Sequence, residues 1–284
     1  MSKVAIVTDS TSYIPKELRE KYPITVVPQV VIWENVSYED DVTITPEQFY
    51  TRLRTAKVMP TTSQASVVNM HKAFSVLLDQ GYEVLGIFVS SKLSGTVQSA
   101  VLSRDQLASG KDKVEILDSE TTAMAMGFQV LTVARAALDG ASITDCKALA
   151  EKSRAYTGVY LTVETLEFLH RQGRIGGAQR FLGTALNLKP ILAVQGGRVE
   201  PVDRVRTRGK ALERVVETVA EKCAGKSPVR IATLHADSPD DAKFMLDKIT
   251  PMVNPIETVF AAVSPAVGAN AGPGTVGLAY MAGM

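Results

Sequence analysis

Short apolar runs that end in hydroxyl-rich turns recur through the first half of the chain. Val84-Leu85-Gly86-Ile87-Phe88-Val89 is almost wholly apolar, as a strand buried on both faces of a parallel sheet must be. It runs into Ser90-Ser91-Lys92-Leu93-Ser94-Gly95-Thr96 and then into a helical pattern from Gly95 to Ala108. Val4-Ala5-Ile6-Val7 likewise ends in Thr8-Asp9-Ser10-Thr11-Ser12, and Val114-Glu115-Ile116-Leu117 in Asp118-Ser119-Glu120-Thr121-Thr122. A further hydroxyl cluster, Pro60-Thr61-Thr62-Ser63-Gln64, forms a turn before a helical pattern from Ser66 to Asp79. Strand, polar turn and helix in repetition predict a parallel sheet with helices on both faces, in which ligands collect at the carboxyl ends of the strands. Four hydroxyl-rich turns are therefore expected to meet along one edge.

Between these repeats, Pro15 opens a short helix, and Pro28-Gln29 separates the strands Ile24–Val27 and Val30–Ile32, which predicts an edge or a bend. Tyr38-Glu39-Asp40-Asp41 has the composition of an acidic surface turn, and Thr45-Pro46-Glu47-Gln48 carries a capping box with a first-turn proline. Helices over Met124–Leu138 and Thr144–Ala155 close the first half. The second half differs. Gly158–Val163 alternates like a strand with one exposed face, and Pro190–Gln195, Gly196-Gly197 and Arg198–Pro201 have the pattern of a β-hairpin. A helix to Cys223, strands at Val229–Leu234 and Glu257–Val263 and a last strand at Val276–Ala279 follow. Gly268-Ala269-Asn270-Ala271-Gly272-Pro273-Gly274 is too rich in glycine for regular structure to be expected. The expected fold is α/β with two domains: residues 1–156 as a three-layer α/β/α domain on a parallel sheet, residues 157–284 as an α/β domain on a mixed sheet.

A length of 284 residues agrees with two cores rather than one. Lys plus Arg number 31 against 30 Asp plus Glu, so nothing in the overall balance attracts nucleic acid or an anionic membrane, and any anion site must be local. No apolar run approaches a membrane span and the first residues lack the core of a signal peptide, so a cytoplasmic location is expected. Cys146 and Cys223 lie far apart in helical patterns without neighbouring ligands, which predicts buried thiols and neither a metal site nor a cofactor.

A hydroxyl-rich turn running into a helix offers free backbone N–H groups and O–H donors at a positive dipole end, which suits an anionic oxygen. A helix cap alone uses one hydroxyl; Ser90, Ser91, Ser94 and Thr96 supply four. A serine nucleophile would need a base within reach. The histidines His71, His170 and His235 all lie outside the hydroxyl turns, while Asp9 and Asp118 at strand ends leave a carboxylate-assisted mechanism open. Around Ser94 the G-x-S-x-G pattern fails, because Lys92 and Thr96 stand where it needs glycines. A binding protein for a carboxylated ligand and a hydrolase or transferase acting on a small carboxylated or phosphorylated metabolite both remain open. A scaffold without a ligand would leave the four turns unexplained.

Thr8-Asp9-Ser10-Thr11, Pro60–Gln64, Ser90–Thr96 with Gln98-Ser99-Ala100, Gly173-Arg174-Ile175 and Gly272-Pro273-Gly274 stand in an order that resembles the DegV family of fatty-acid-binding proteins. The resemblance spans essentially the whole chain. It implies one long-chain fatty acid held between two domains, with the carboxylate on Thr62, Ser94 and Asn270 and with Asp9, Ser10, Ser91, Gly95, Thr96 and Gly272 in supporting turns. It also implies a lipid-binding subunit rather than an enzyme, presenting the carboxylate to a bacterial fatty-acid kinase that forms an acyl phosphate. Arg171, Arg174, Arg204, Arg206 and Arg208 are then candidates for docking that kinase or steering its phosphate donor. One departure stands out: family members commonly carry Gly-Thr-His where this chain has Gly268-Ala269-Asn270, and an asparagine can donate a hydrogen bond but cannot shuttle a proton. A tail of about fifteen carbons would contribute on the order of 12 kcal/mol of burial before ordering costs, so hydroxyl and backbone donors suffice to orient the head group without an obligatory buried cation.

Overall fold

The computed structural model describes residues 3–182 and 188–284. Its first half contains β1 (Val4–Asp9), α1 (Lys16–Lys21), β2 (Ile24–Val27), β3 (Val30–Trp33), β4 (Val36–Glu39), α2 (Pro46–Leu53), β5 (Thr61–Ser63), α3 (Val67–Asp79), β6 (Glu83–Phe88), α4 (Thr96–Asp105), β7 (Val114–Asp118), α5 (Ala123–Leu138) and α6 (Ile143–Ser153). The second half contains β8 (Thr157–Thr162), α7 (Glu167–Arg171), β9 (Lys189–Gln195), β10 (Arg198–Val205), α8 (Arg208–Cys223), β11 (Val229–His235), α9 (Pro239–Val253), β12 (Glu257–Ala262), α10 (Pro265–Ala271) and β13 (Val276–Ala282).

Strands β2, β1, β6 and β7 form a parallel sheet in that order, so the expected fold class is observed. The two central strands are the most apolar because helices cover both faces. From α3 and α4, Met70, Phe74 and Ala100 pack with Val7, Val84 and Phe88, while α5 and α6 pack with Ile6, Leu85 and Ile87 on the other side. From Thr157 onward the strands form one mixed sheet, ordered β10-β9-β8-β13-β11-β12, in which only β11 and β12 run parallel. Its outer face carries α8 and α9, through Val215, Val219, Met245 and Ile249.

Helix α5 explains how the two sheets come to share a core. Met124, Met126, Phe128, Val130, Leu131 and Val133 are all fully buried, so the helix is apolar around its whole circumference rather than along one stripe. It packs with the parallel sheet on one side and with Val159, Ala279 and Met281 of the mixed sheet on the other. The layers are thus helices, parallel sheet, α5 with α6, mixed sheet, helices.

Three local expectations are corrected. Pro28 ends β2 at the sheet edge, and the chain then leaves for a separate three-stranded antiparallel sheet, β4-β3-β5, in which Thr61–Ser63 is a strand rather than a turn. Tyr38-Glu39-Asp40-Asp41 is no surface turn: Tyr38 and Glu39 end β4, and Asp40 is buried at 1% exposure because two donors are waiting for its carboxylate. The segment 265–271 is helical despite its glycine, with Pro265 in its first turn. A Cβ on Gly268 would come within 2.3 Å of the Tyr50 hydroxyl, so that glycine permits close packing rather than irregular backbone. The capping box at Thr45 is present in both directions, with Thr45 Oγ1 accepting from Gln48 N and Gln48 Oε1 accepting from Thr45 N.

Because α5 serves both sheets, a cavity in it should loosen both at once. Phe128→Ala is expected to cost about 3–5 kcal/mol. Urea unfolding followed by far-UV circular dichroism should show one shifted transition of unchanged slope; a biphasic curve in which only half the signal moves would show that the halves do not share this core.

Candidate functional site

A cavity with about 960 Å³ of empty space, its mouth included, lies between α5, the parallel sheet's carboxyl edge and the mixed sheet. Each of the four hydroxyl-rich segments contributes to it: Thr11, Thr62 with Ser63, Ser94 and Thr122. The body is apolar, walled by Val89, Leu93, Val159, Leu161, Val194 and Leu234 among others. Polar groups gather at one end, where Thr62, Ser94, Gln29, Asn270 and Arg174 line the wall.

Hydrogen-bond arithmetic fixes what this end can do. Thr96 Oγ1 accepts from Gln29 Nε2 (2.8 Å) and from Ala65 N (3.3 Å), so its own proton points to Ser94 Oγ at 2.9 Å. Ser94 then keeps its hydroxyl proton for something else, its alternative being a long 3.5 Å contact to Gln29 Oε1. Asn270 Nδ2 donates to Ala266 O (2.8 Å) and to Thr62 Oγ1 (3.3 Å), which leaves the Thr62 proton free as well. Two hydroxyl protons are therefore available at the polar end. Asn270 lines the cavity, yet both of its amide hydrogens are committed, so it orients Thr62 instead of adding a donor; its Oδ1 is buried without a partner.

The supporting residues divide. Thr96 is the buried hub of the network just described. Asp9 is fully buried and accepts from Thr11 N (2.9 Å), Thr11 Oγ1 (2.6 Å) and Val89 N (2.8 Å); burial pushes its carboxyl up and these bonds oppose the rise. Its task is to pin the turn after β1 to the end of β6. Ser91, exposed, bonds Asp118 through its backbone, and Gly95 is the N-cap of α4. Gly272 adopts φ +82°, and a Cβ there would meet the Phe168 ring at 2.5 Å. None of Asp9, Ser91, Gly95 and Gly272 reaches the cavity wall.

Arg174 was grouped above with a partner-facing surface; it is instead turned inward. It lines the cavity, half-buried, its Nε donating to Leu93 O (3.3 Å) and Nη1 to Gln172 O (2.6 Å). A cation therefore stands at the polar end in addition to the hydroxyl donors. Arg171 pairs with Glu167 (2.5 Å), Arg208 with Asp241 (2.7 Å), Arg204 lies over the Phe181 ring and Arg206 is exposed. His71, His170 and His235 stay outside the cavity lining.

Sequence reasoning missed Gln29, Asp40 and Tyr13. Gln29 follows the proline at which the chain changes sheets, so its side chain faces Thr96 instead of solvent. Asp40 joins the two sides of the site. Its Oδ2 accepts from Ser10 Oγ (2.6 Å), whose oxygen in turn accepts from Gln29 N (3.1 Å), and its Oδ1 accepts from Ala266 N (2.9 Å) at the start of α10, the helix that carries Asn270. Ser10, predicted as a supporting residue, acts through this carboxylate.

Burial pushes Asp40 up to about 6, with the bonds from Ser10 and Ala266 opposing the rise. The folded value lies above the unfolded one, so between pH 4 and 6 the folded chain takes up a proton that the unfolded chain does not. Asp40's contribution to stability therefore grows as pH falls through 6. Asp40→Asn removes this dependence. Between pH 7.5 and 4.5 the wild type should gain on the variant by on the order of 2 kcal/mol in urea unfolding; parallel pH profiles would contradict a buried, charged Asp40.

Comparison with known proteins agrees with this geometry. Residues 3–283 match the family model described as "Uncharacterised protein, DegV family". A DegV domain-containing protein of Streptomyces coelicolor is 35% identical over 277 residues, covering 97% of each chain. The fold superposes on a DegV family protein from Thermus thermophilus described for its fatty-acid binding, with a TM-score of 0.92, 33% identity and 99% of both chains covered. It is also similar to DegV from Bacillus subtilis, described as a fatty acid binding protein, with a TM-score of 0.90, 29% identity and coverage of 99% of this chain and 100% of that one. Matched to the family model over nearly its whole length and to these proteins in both sequence and fold, the chain belongs to the DegV family.

Proposed function

We propose that this protein binds one long-chain fatty acid, the acyl tail in the apolar cavity and the carboxylate at Thr62 and Ser94. The observation that carries this reading is the pairing of an apolar cavity with two hydroxyl protons freed at one end of it. Fatty-acid binding in the Thermus thermophilus and Bacillus subtilis relatives supports it. Arg174 adds a positive charge beside the carboxylate, and charge-assisted bonds of this kind are about twice as strong as neutral ones. The tail supplies most of the free energy at roughly 0.8 kcal/mol per methylene, and the polar end orients the ligand.

Presentation of the head group to a fatty-acid kinase is the finer part of the proposal. Thr62 and Ser94 are half-buried, and Gln64 and Gly95 beside them are exposed, so the polar end lies next to solvent while the apolar body lies deeper. A carboxylate held there would be open to a phosphate donor brought by a partner. Exposed Arg171 and Arg206 are the remaining candidates for steering that partner. Ser94 is read as a ligand-binding hydroxyl and not as a nucleophile, since its neighbours Thr96 Oγ1 and Gln29 Oε1 offer no base to take its proton.

Thr62→Ala and Ser94→Ala test the head-group assignment. Each removes a hydrogen bond to a charged group, a loss of about 1.5–3 kcal/mol, or roughly tenfold or more in Kd for palmitate by calorimetric titration. Circular dichroism should be unchanged, because neither residue fills the core. A double variant that binds palmitate as the wild type does would move the carboxylate elsewhere.

A further inference from the structure

A second cavity, lined by both polar and apolar residues and with about 910 Å³ of empty space counting its mouth, adjoins the first at Tyr13. Ser10, Ser12, Asp40 and Ser264 line it, with Lys16 and Arg19 also in its wall. Tyr13 alone among the described residues lines both cavities. Its hydroxyl is buried beside Ser264, and burial together with the nearby Asp40 carboxylate pushes the phenol well above its ordinary value; Ser264 and Asp40 both line the second cavity, so the tip of the ring lies on that side.

Helix α10 gives the direction. Asn270 stands at the polar end beside Thr62, whereas Ala266, one turn earlier, bonds Asp40 through its N–H, and Val263 lies just before the helix. Ala266 and Val263 share the first cavity's wall with Tyr13. Tyr13 thus lines the cavity toward the first turn of α10, away from Thr62 and Asn270. It does so with φ +55°, a left-handed conformation that is costly for a bulky aromatic residue. The turn that imposes it is pinned by Asp9, which holds both the N–H and the hydroxyl of Thr11.

Building on the fatty-acid reading above, we propose that Tyr13 is the partition that sets the upper limit of acyl-chain length, its ring separating the tail cavity from the second cavity. An apolar tail that reaches the ring must stop or fold back, since the space beyond is closed to it. Removing the ring joins the two spaces, and Ile14, Val26 and Phe260 then offer apolar surface for further methylenes.

Tyr13→Gly is the informative variant, because glycine adopts positive φ without strain and so keeps the turn; Tyr13→Asn, also tolerant of this conformation, provides a second. Affinities for saturated fatty acids of about 14 to 22 carbons would be measured by titration for the wild type and both variants. Each additional buried methylene corresponds to about a fourfold gain, so the affinity ratio of the 20-carbon to the 16-carbon acid is expected to rise at least tenfold in both variants, with the wild type's optimum displaced to longer chains. An unchanged length profile in variants that still bind palmitate would overturn the partition, and so would a uniform loss across all lengths. Failure of the wild type itself to bind any of these acids would strike the underlying fatty-acid reading instead.

Discussion

One buried carboxylate ties the two halves of the site together. Asp40 accepts one hydrogen bond from the Ser10 hydroxyl on its β1 side and another from the N–H of Ala266 at the start of α10. From Ser10 the network continues through the Gln29 backbone, the Gln29 side chain and Thr96 to Ser94; from Ala266 it continues through Asn270 to Thr62. Each hydroxyl at the polar end is therefore oriented by bonds whose far ends meet on one residue. A buried network of this kind gives a single geometry only when every link is satisfied. The exception, Asn270 Oδ1, belongs to a residue on the cavity wall, where a ligand or water can reach.

The apolar body of the cavity follows from the same layering that builds the fold. A helix buried on all sides between two sheets leaves a gap near its amino end, where α5 begins at Ala123 and the hydroxyl turns arrive. Thr122 and Ala123 line that gap, and Ala123 adopts φ +55° as the chain swings from β7 into the helix. Filling the gap with side chains would raise stability and remove the site. A long apolar ligand restores the lost contacts when it binds, which is why burial and not head-group chemistry dominates the free energy of this account.

Much of this was legible in the chain. The apolar runs of β1, β6 and β7, each followed by a polar turn and a helix, have the period and composition of a parallel sheet, and the glycine pair after Gln195 marked the hairpin. Thr62 and Ser94 could be picked because the hydroxyl-rich segments that carry them match the family's motifs, and both line the cavity. What escaped did so for tertiary reasons. Asp40 sits in a charged sequence and is buried only because Ser10 and Ala266, 30 and 226 residues away, supply donors. The glycines around Asn270 suggested a loop, whereas Gly268 is there to let α10 approach Tyr50. Arg174 stands in the motif Gly173-Arg174-Ile175 yet reads as one of several surface cations; its bond to Leu93 O, 81 residues away, turns it into the cavity.

An apolar cavity with a hydrogen-bonding end should not stay empty in a cell that contains free fatty acids. The protein, purified without detergent, would be denatured and extracted with organic solvent, and the extract quantified by mass spectrometry against protein concentration. About one long-chain fatty acid per chain is the result this account predicts. An extract without lipid, together with no uptake of added palmitate or oleate by the same preparation, would contradict it.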